Sequence, residues 1–176
     1  MSNALPGPIN QIGYLVDSVE QSMERWRQHL GVGPWTLFRN VSLEGTYRGE
    51  SVTVTMDVGL AYQGEVQIEL IQVTNDAKSP YRDADDRPIR GMHHIAWVVD
   101  DFDQTLARLT ATGLQTVFEA SNSTTRVAYL ENESEPGVLY EIIHGIGMRE
   151  LIQQGIEAAR QWDGTGRLQS QSGCLG

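Results

Sequence analysis

Cysteine is almost missing from this chain. Its single example, Cys174, stands in a polar C-terminal stretch, so an internal disulfide framework is excluded and a reducing cytoplasmic setting is expected. Positive charge is also scarce: 13 Lys and Arg face 23 Asp and Glu, for a net charge of -10. No block of Lys or Arg interrupts that excess, which argues against nucleic acid and anionic membrane surfaces as partners. Apolar runs stay well short of the roughly 20 residues that span a bilayer. The opening "MSNALPGPIN" lacks a charged start followed by an apolar core, so no targeting signal is expected. What is present suits folding: 176 residues with 40% hydrophobic content can make one compact domain or two small halves sharing a core.

An internal repeat organises the chain. "QIGYLVDSVEQSMERWRQHLG" from Gln11 and "HIAWVVDDFDQTLARLTATGL" from His94 each read as a short strand, an Asp-containing turn and an amphipathic helix. Val19, Met23, Trp26 and Leu30 recur at helical intervals in the first, and Phe102, Leu106 and Leu109 in the second. Asp17 or Ser18, and Asp100 or Asp101, are predicted helix caps. Strand patterns follow each helix: "VTVTMDV" and "EVQIELIQV" in the first copy, "TRVAYLE" and "VLYEIIH" in the second. The correspondence sets Gln11 against His94 and Glu69 against Glu141.

These patterns predict a first βαβββ module over 1–74, a linker over 75–90, a second module over 91–147, a helix over 148–163 and a flexible tail over 164–176. In "GMHHIAWVVDD", strand alternation sends His94, Ala96 and Val98 to one face and His93, Ile95, Trp97 and Val99 to the helix layer. His93 is accordingly expected to be structural. His29 suits a helix C-terminus, where a cation favours the dipole. Trp26 and Trp97 are expected between helix and sheet.

The order and duplication of "QIGYLVDSVEQSMERW", "VQIELIQV", "GMHHIAWVVDD" and "VLYEIIH" resemble the vicinal oxygen chelate superfamily. That group includes glyoxalase I, methylmalonyl-CoA epimerase, extradiol dioxygenases and bleomycin and fosfomycin resistance proteins. The resemblance implies an α+β fold of tandem βαβββ modules, with a curved mixed sheet around a cavity; here an extra C-terminal helix follows. It also implies one divalent metal on Gln11, Glu69, His94 and Glu141. Two carboxylates on a face that otherwise holds small or apolar groups would incur a desolvation cost of several kcal/mol unless a cation or a strong donor compensated them. One imidazole and three oxygen donors suit Zn, Ni, Co, Mn or Mg.

The resemblance further implies an enzyme, an isomerase, epimerase or lyase. It would take a proton from the carbon next to a chelated carbonyl, with Glu141 as first base and Glu69 as its partner. Two alternatives are a metal-free small-molecule binding or resistance protein and an extradiol-type dioxygenase; Gln11 stands where dioxygenases place a histidine. Leu15 and Val73 occupy the places that grip glutathione in glyoxalase I, and "ESVTVTMDV" offers Thr53 and Thr55, with only Glu50 and Asp57 near its ends, where the epimerase keeps its second base. The expected substrate is therefore a smaller, less charged carbonyl compound, aromatic ones included, held by apolar groups and by Trp35, Tyr47 or Tyr62. A homodimer is the expected assembly.

Overall fold

Each copy of the repeat forms one strand, one helix and three further strands. In the computed structural model, which describes residues 7–166 and 169–172, the first copy comprises β1 (Gln11–Leu15), α1 (Val19–Leu30), β2 (Thr36–Tyr47), β3 (Glu50–Gln63) and β4 (Val66–Val73). The second comprises β5 (Gly91–Val98), α2 (Phe102–Ala111), β6 (Gln115–Ser121), β7 (Thr125–Glu131) and β8 (Leu139–Gly145). A third helix, α3 (Met148–Gln161), and a short strand, β9 (Gln169–Ser172), follow.

Both repeat helices start on the side chains the sequence offers. Ser18 Oγ accepts from Gln21 N at 3.3 Å and Asp101 Oδ1 from Gln104 N at 2.9 Å, each satisfying a donor that the first helical turn leaves open. The apolar stripe of α1 packs Val19 and Met23 against Ala61, Ile68 and Leu70. That of α2 packs Phe102 and Leu109 against Ala128, Leu130 and Ile142. Trp26 and Trp97 lie partly buried in these two layers, so the helices cover the convex face and leave the concave one for a cavity.

The strands run in the order β3-β4-β1-β5-β8-β7-β6-β2-β9, and β2 also pairs with β3. β1 and β5 meet antiparallel at the junction of the two copies. The long β2 pairs with β3 along most of its length and with β6 at Glu44–Tyr47, closing eight strands around the interior. This is the α+β architecture expected from the sequence.

Two stretches differ from expectation. Within the tail expected to be flexible, Gln169–Ser172 pairs in parallel with Thr36–Arg39 of β2, because that end of β2 has an edge free; Cys174 lies outside the described residues. Within 75–90, Ser79 and Tyr81 are buried, so this segment inserts into the core as well as crossing between copies. Among the described residues no helix is long and apolar enough to cross a membrane.

Candidate functional site

Strand register brings the four singled-out side chains together. Gly13 of β1 is paired with Glu69 on β4 and with His94 on β5. A Cβ on Gly13 would stand 2.0 Å from His94 Cε1, so the absence of a side chain lets Glu69 and His94 meet across the intervening strand. On the other diagonal, Ala96 lies between Gln11 and Glu141. Around His94 Nε2 stand Gln11 Oε1 at 3.1 Å, Glu69 Oε2 at 3.2 Å and Glu141 Oε2 at 3.1 Å. All four residues are buried, His94 completely.

The orientation of each donor has a cause. Gln11 Nε2 donates to Gln67 Oε1 at 2.7 Å, and Gln67 Nε2 donates to the Tyr62 hydroxyl at 2.6 Å. Gln11 must then present its oxygen to the site. His94 stacks on Tyr129, with centroids 5.1 Å apart. Its tautomer is set from behind. His93 Nε2 lies 2.8 Å from the Pro80 carbonyl, which only accepts, so Nε2 carries the proton. His93 Nδ1 is then an acceptor, and it lies 3.0 Å from His94 Nδ1, which must donate. A neutral His94 is left with a bare Nε2 aimed at three oxygens.

That contact corrects the expected placement of His93. Between Gly13 and Tyr14 the register of β1 against β5 slips past His93. This irregularity turns the ring out of strict alternation, and His93 stacks on Tyr81 at 5.1 Å instead of facing the helix layer. The two histidines therefore act together. Trp35 also departs from expectation: it is buried under α1, donating to the Val32 carbonyl at 2.9 Å. Tyr47 packs on the interior core, and Tyr62 alone of the three lines the cavity. Asp57 is committed elsewhere, accepting from Arg39 Nη1 and Asn40 N at 2.9 Å each. Arg90 pairs with Asp17 at the surface.

Electrostatics at the cluster are short of positive charge. Burial pushes the Glu141 carboxyl up from 4.5 to about 8, with His94 opposing and Glu69 adding to the rise. Burial alone would lower His94, but the charge of Glu141 and the hydrogen-bonding and charge of Glu69 outweigh it and raise the imidazole. Burial and the neighbouring His94 bring His93 down to about 3 against the Pro80 hydrogen bond, which keeps it neutral. Glu141 Oε2, although 3.1 Å from Nε2, receives no hydrogen bond, because the bare ring nitrogen of the neutral tautomer has no proton to give.

Among the described residues no three His, Cys, Asp or Glu side chains form a ready-made metal cage; the four groups close on one another. Their chemistry nevertheless fits a cation. Neighbouring donors in a six-coordinate shell of about 2.1 Å radius lie roughly 3.0 Å apart, close to the contacts around Nε2. Gln11, Glu69, His94 and Glu141 are the residues that could hold it.

Gln11, Glu69 and Glu141 of the cluster line a cavity of about 350 Å³, with His94 fully buried behind them. Phe38, Leu43, Met56 and Ile71 line it from the sheet, with Tyr81 and Tyr129, whose hydroxyls are 3.0 Å apart. Sequence reasoning missed Gly13 and Tyr81, and the part that His93 and Gln67 play in orienting His94 and Gln11. The paired histidines and the small residues at Gly13 and Ala96 were the available signals.

Comparison with known proteins agrees with this architecture. Among solved structures, the hypothetical protein BH1468 from Bacillus halodurans C-125 is 22% identical, with 79% of this chain and 94% of that one covered at a TM-score of 0.53. The methylmalonyl-CoA epimerase from Mycobacterium tuberculosis is 17% identical, with 86% and 96% covered at a TM-score of 0.55. At these identities the likeness establishes the fold alone. No curated protein matches the chain. The family model described as "Glyoxalase/Bleomycin resistance protein/Dioxygenase superfamily" matches residues 10–129, more than half of the sequence, and the chain belongs to that superfamily.

Proposed function

We propose that the protein is a divalent-metal-dependent enzyme of the glyoxalase and epimerase kind, acting as an isomerase, epimerase or lyase on a small oxygenated substrate. The observation that carries this reading is the bare His94 Nε2 facing three oxygens, two of them from buried carboxylates, with no arginine or lysine within salt-bridge reach of either acid among the described residues. Such a cluster needs a cation. Gln11, Glu69, His94 and Glu141 would hold it. A bound divalent ion supplies Lewis acidity, polarising a carbonyl and acidifying the adjacent C–H.

The chain's own residues do the rest. Glu141, on the cavity wall, receives the substrate proton as general base. Glu69, also on the cavity wall, returns the proton. The Tyr81 and Tyr129 hydroxyls border the cavity as uncharged donors. Two such chains are proposed to associate as a homodimer.

Elemental analysis of protein purified without chelator tests the metal, with one equivalent of a divalent ion expected. Glu141→Gln is expected to cut deuterium exchange at the substrate carbon by about 100-fold or more while the ion is retained. Protein without metal that is also indifferent to added Zn, Ni or Co would instead support a metal-free binding protein.

A further inference from the structure

The helix α3 lies outside the matched family segment, yet it builds one wall of the cavity. Met148, Leu151, Ile152, Gly155 and Ala158 line that wall, and their spacing of three and four places them on one helical stripe. The fit against the sheet is close. A Cβ on Gly155 would stand 2.1 Å from Tyr62 Cε2, so α3 packs directly on the residue that orients Gln67 and, through it, Gln11. At the rim Ile146 and Leu151 remain 76% and 44% exposed, an apolar lip continuous with the wall.

Cationic groups are kept away from this space. No Lys or Arg lines the cavity among the described residues. The two arginines of α3 are engaged elsewhere: Arg149 donates to Asp100 at 2.8 Å and to the Val98 carbonyl at 3.1 Å, and Arg160 pairs with Glu65 at 3.6 Å. A phosphate or carboxylate on the ligand's body would therefore enter unpaired, at the desolvation cost of an uncompensated charge. An apolar body gains from every part it buries against the stripe.

We infer that the pocket beneath α3 is a specificity subsite for an uncharged, apolar substrate body, aryl or short alkyl, and that it does not accept a nucleotide-borne carrier. This rests on the reading of the His94 cluster as the reactive end.

The test uses the uncharged dye N-phenylnaphthylamine, titrated by fluorescence into the metal-free and the zinc-loaded full chain. Saturable binding to both is expected, with displacement by phenacyl alcohol, an uncharged aryl compound with two neighbouring oxygens, and none by coenzyme A. Ile152→Lys is expected to weaken the dye about 10-fold or more, and Ile152→Ala, which keeps the helix intact, about 3- to 10-fold. Failure of the dye to bind, binding by both variants as tight as by the unaltered chain, or displacement by coenzyme A alone would overturn the inference. Calorimetry with zinc, nickel and cobalt on the same samples separates the two ideas: absence of binding by all three removes the metal reading, whereas the dye data judge the pocket.

Discussion

Gly13 and Ala96 occupy the same position in the two copies of the repeat, and each separates a pair of candidate ligands. Gly13 stands between Glu69 and His94, Ala96 between Gln11 and Glu141. Only one of them carries a methyl group. The reason is the neighbour: the flat imidazole of His94 lies directly over Gly13, whereas Ala96 is fully buried with its methyl accommodated in the interior core. The copies also orient their ligands differently. In the first, Gln67 and Tyr62 hold Gln11 by hydrogen bonds. The position matching Gln67 in the second copy is Leu139, and His94 relies on Tyr129 stacking and the His93–Pro80 relay instead. Duplication thus preserves where a donor sits, while what turns it toward the centre is specific to each half.

The sharpest break in this comparison is Gly13→Ala. With its Cβ driven into His94, it is expected to destabilise by about 3 kcal/mol and to abolish zinc binding, read by urea unfolding and calorimetry. The mirror change, Ala96→Gly, is expected to cost only about 1 kcal/mol. Equal effects would erase the asymmetry.

Gln67→Leu gives the first copy the residue of the second. It is expected to weaken zinc about 10- to 100-fold with the fold intact, and Gln67→Glu, which still accepts from Gln11, to restore binding. His93→Leu is expected to weaken zinc to a similar degree by releasing the His94 tautomer.

A smaller expected effect concerns pH. Glu141 is raised to about 8 and His94 is raised as well, so their stabilisation of the metal-free protein is present below the unfolded values and is lost as pH climbs through the folded ones. His93, lowered to about 3, contributes stability present above 6.5 and lost as pH falls. The opposing effects overlap below 6.5. Between pH 6.5 and 8 only the first two change, so the metal-free melting temperature is expected to fall across that window. Glu141→Gln should flatten the decline, and zinc should reverse it, because the ion competes with protons. Smallest of all are the caps: Ser18→Ala and Asp101→Ala are each expected to cost about 1 kcal/mol, measured by thermal unfolding, with Asp101 the larger because its hydrogen bond is shorter.

Much of the site was legible because strand alternation is local. Gln67, Glu69 and Ile71 line the cavity, as do Glu141 and Ile143, while Ile68 and Leu70 turn to the helix, all as period-two alternation requires. His93 escaped that logic because a register slip against β1 involves a partner some eighty positions away. Tyr81 escaped it because "NDAKSPYRDADDRPIR" has the polarity of a loop, and nothing local marks the tyrosine that stacks against the site.

By itself the sequence determined the duplication, the helix starts and the inward faces of the strands, since the last two depend on residues within a few positions of one another and the first on a repeated pattern, while the resemblance singled out four candidate donors. Only the tertiary structure decided that these donors share one point, that His93 sets the tautomer of His94, and that α3 closes an apolar wall over them. Those outcomes depend on the pairing of β1 with β5 and on ring closure through β2. Such contacts join distant stretches of chain whose mutual geometry no local pattern encodes.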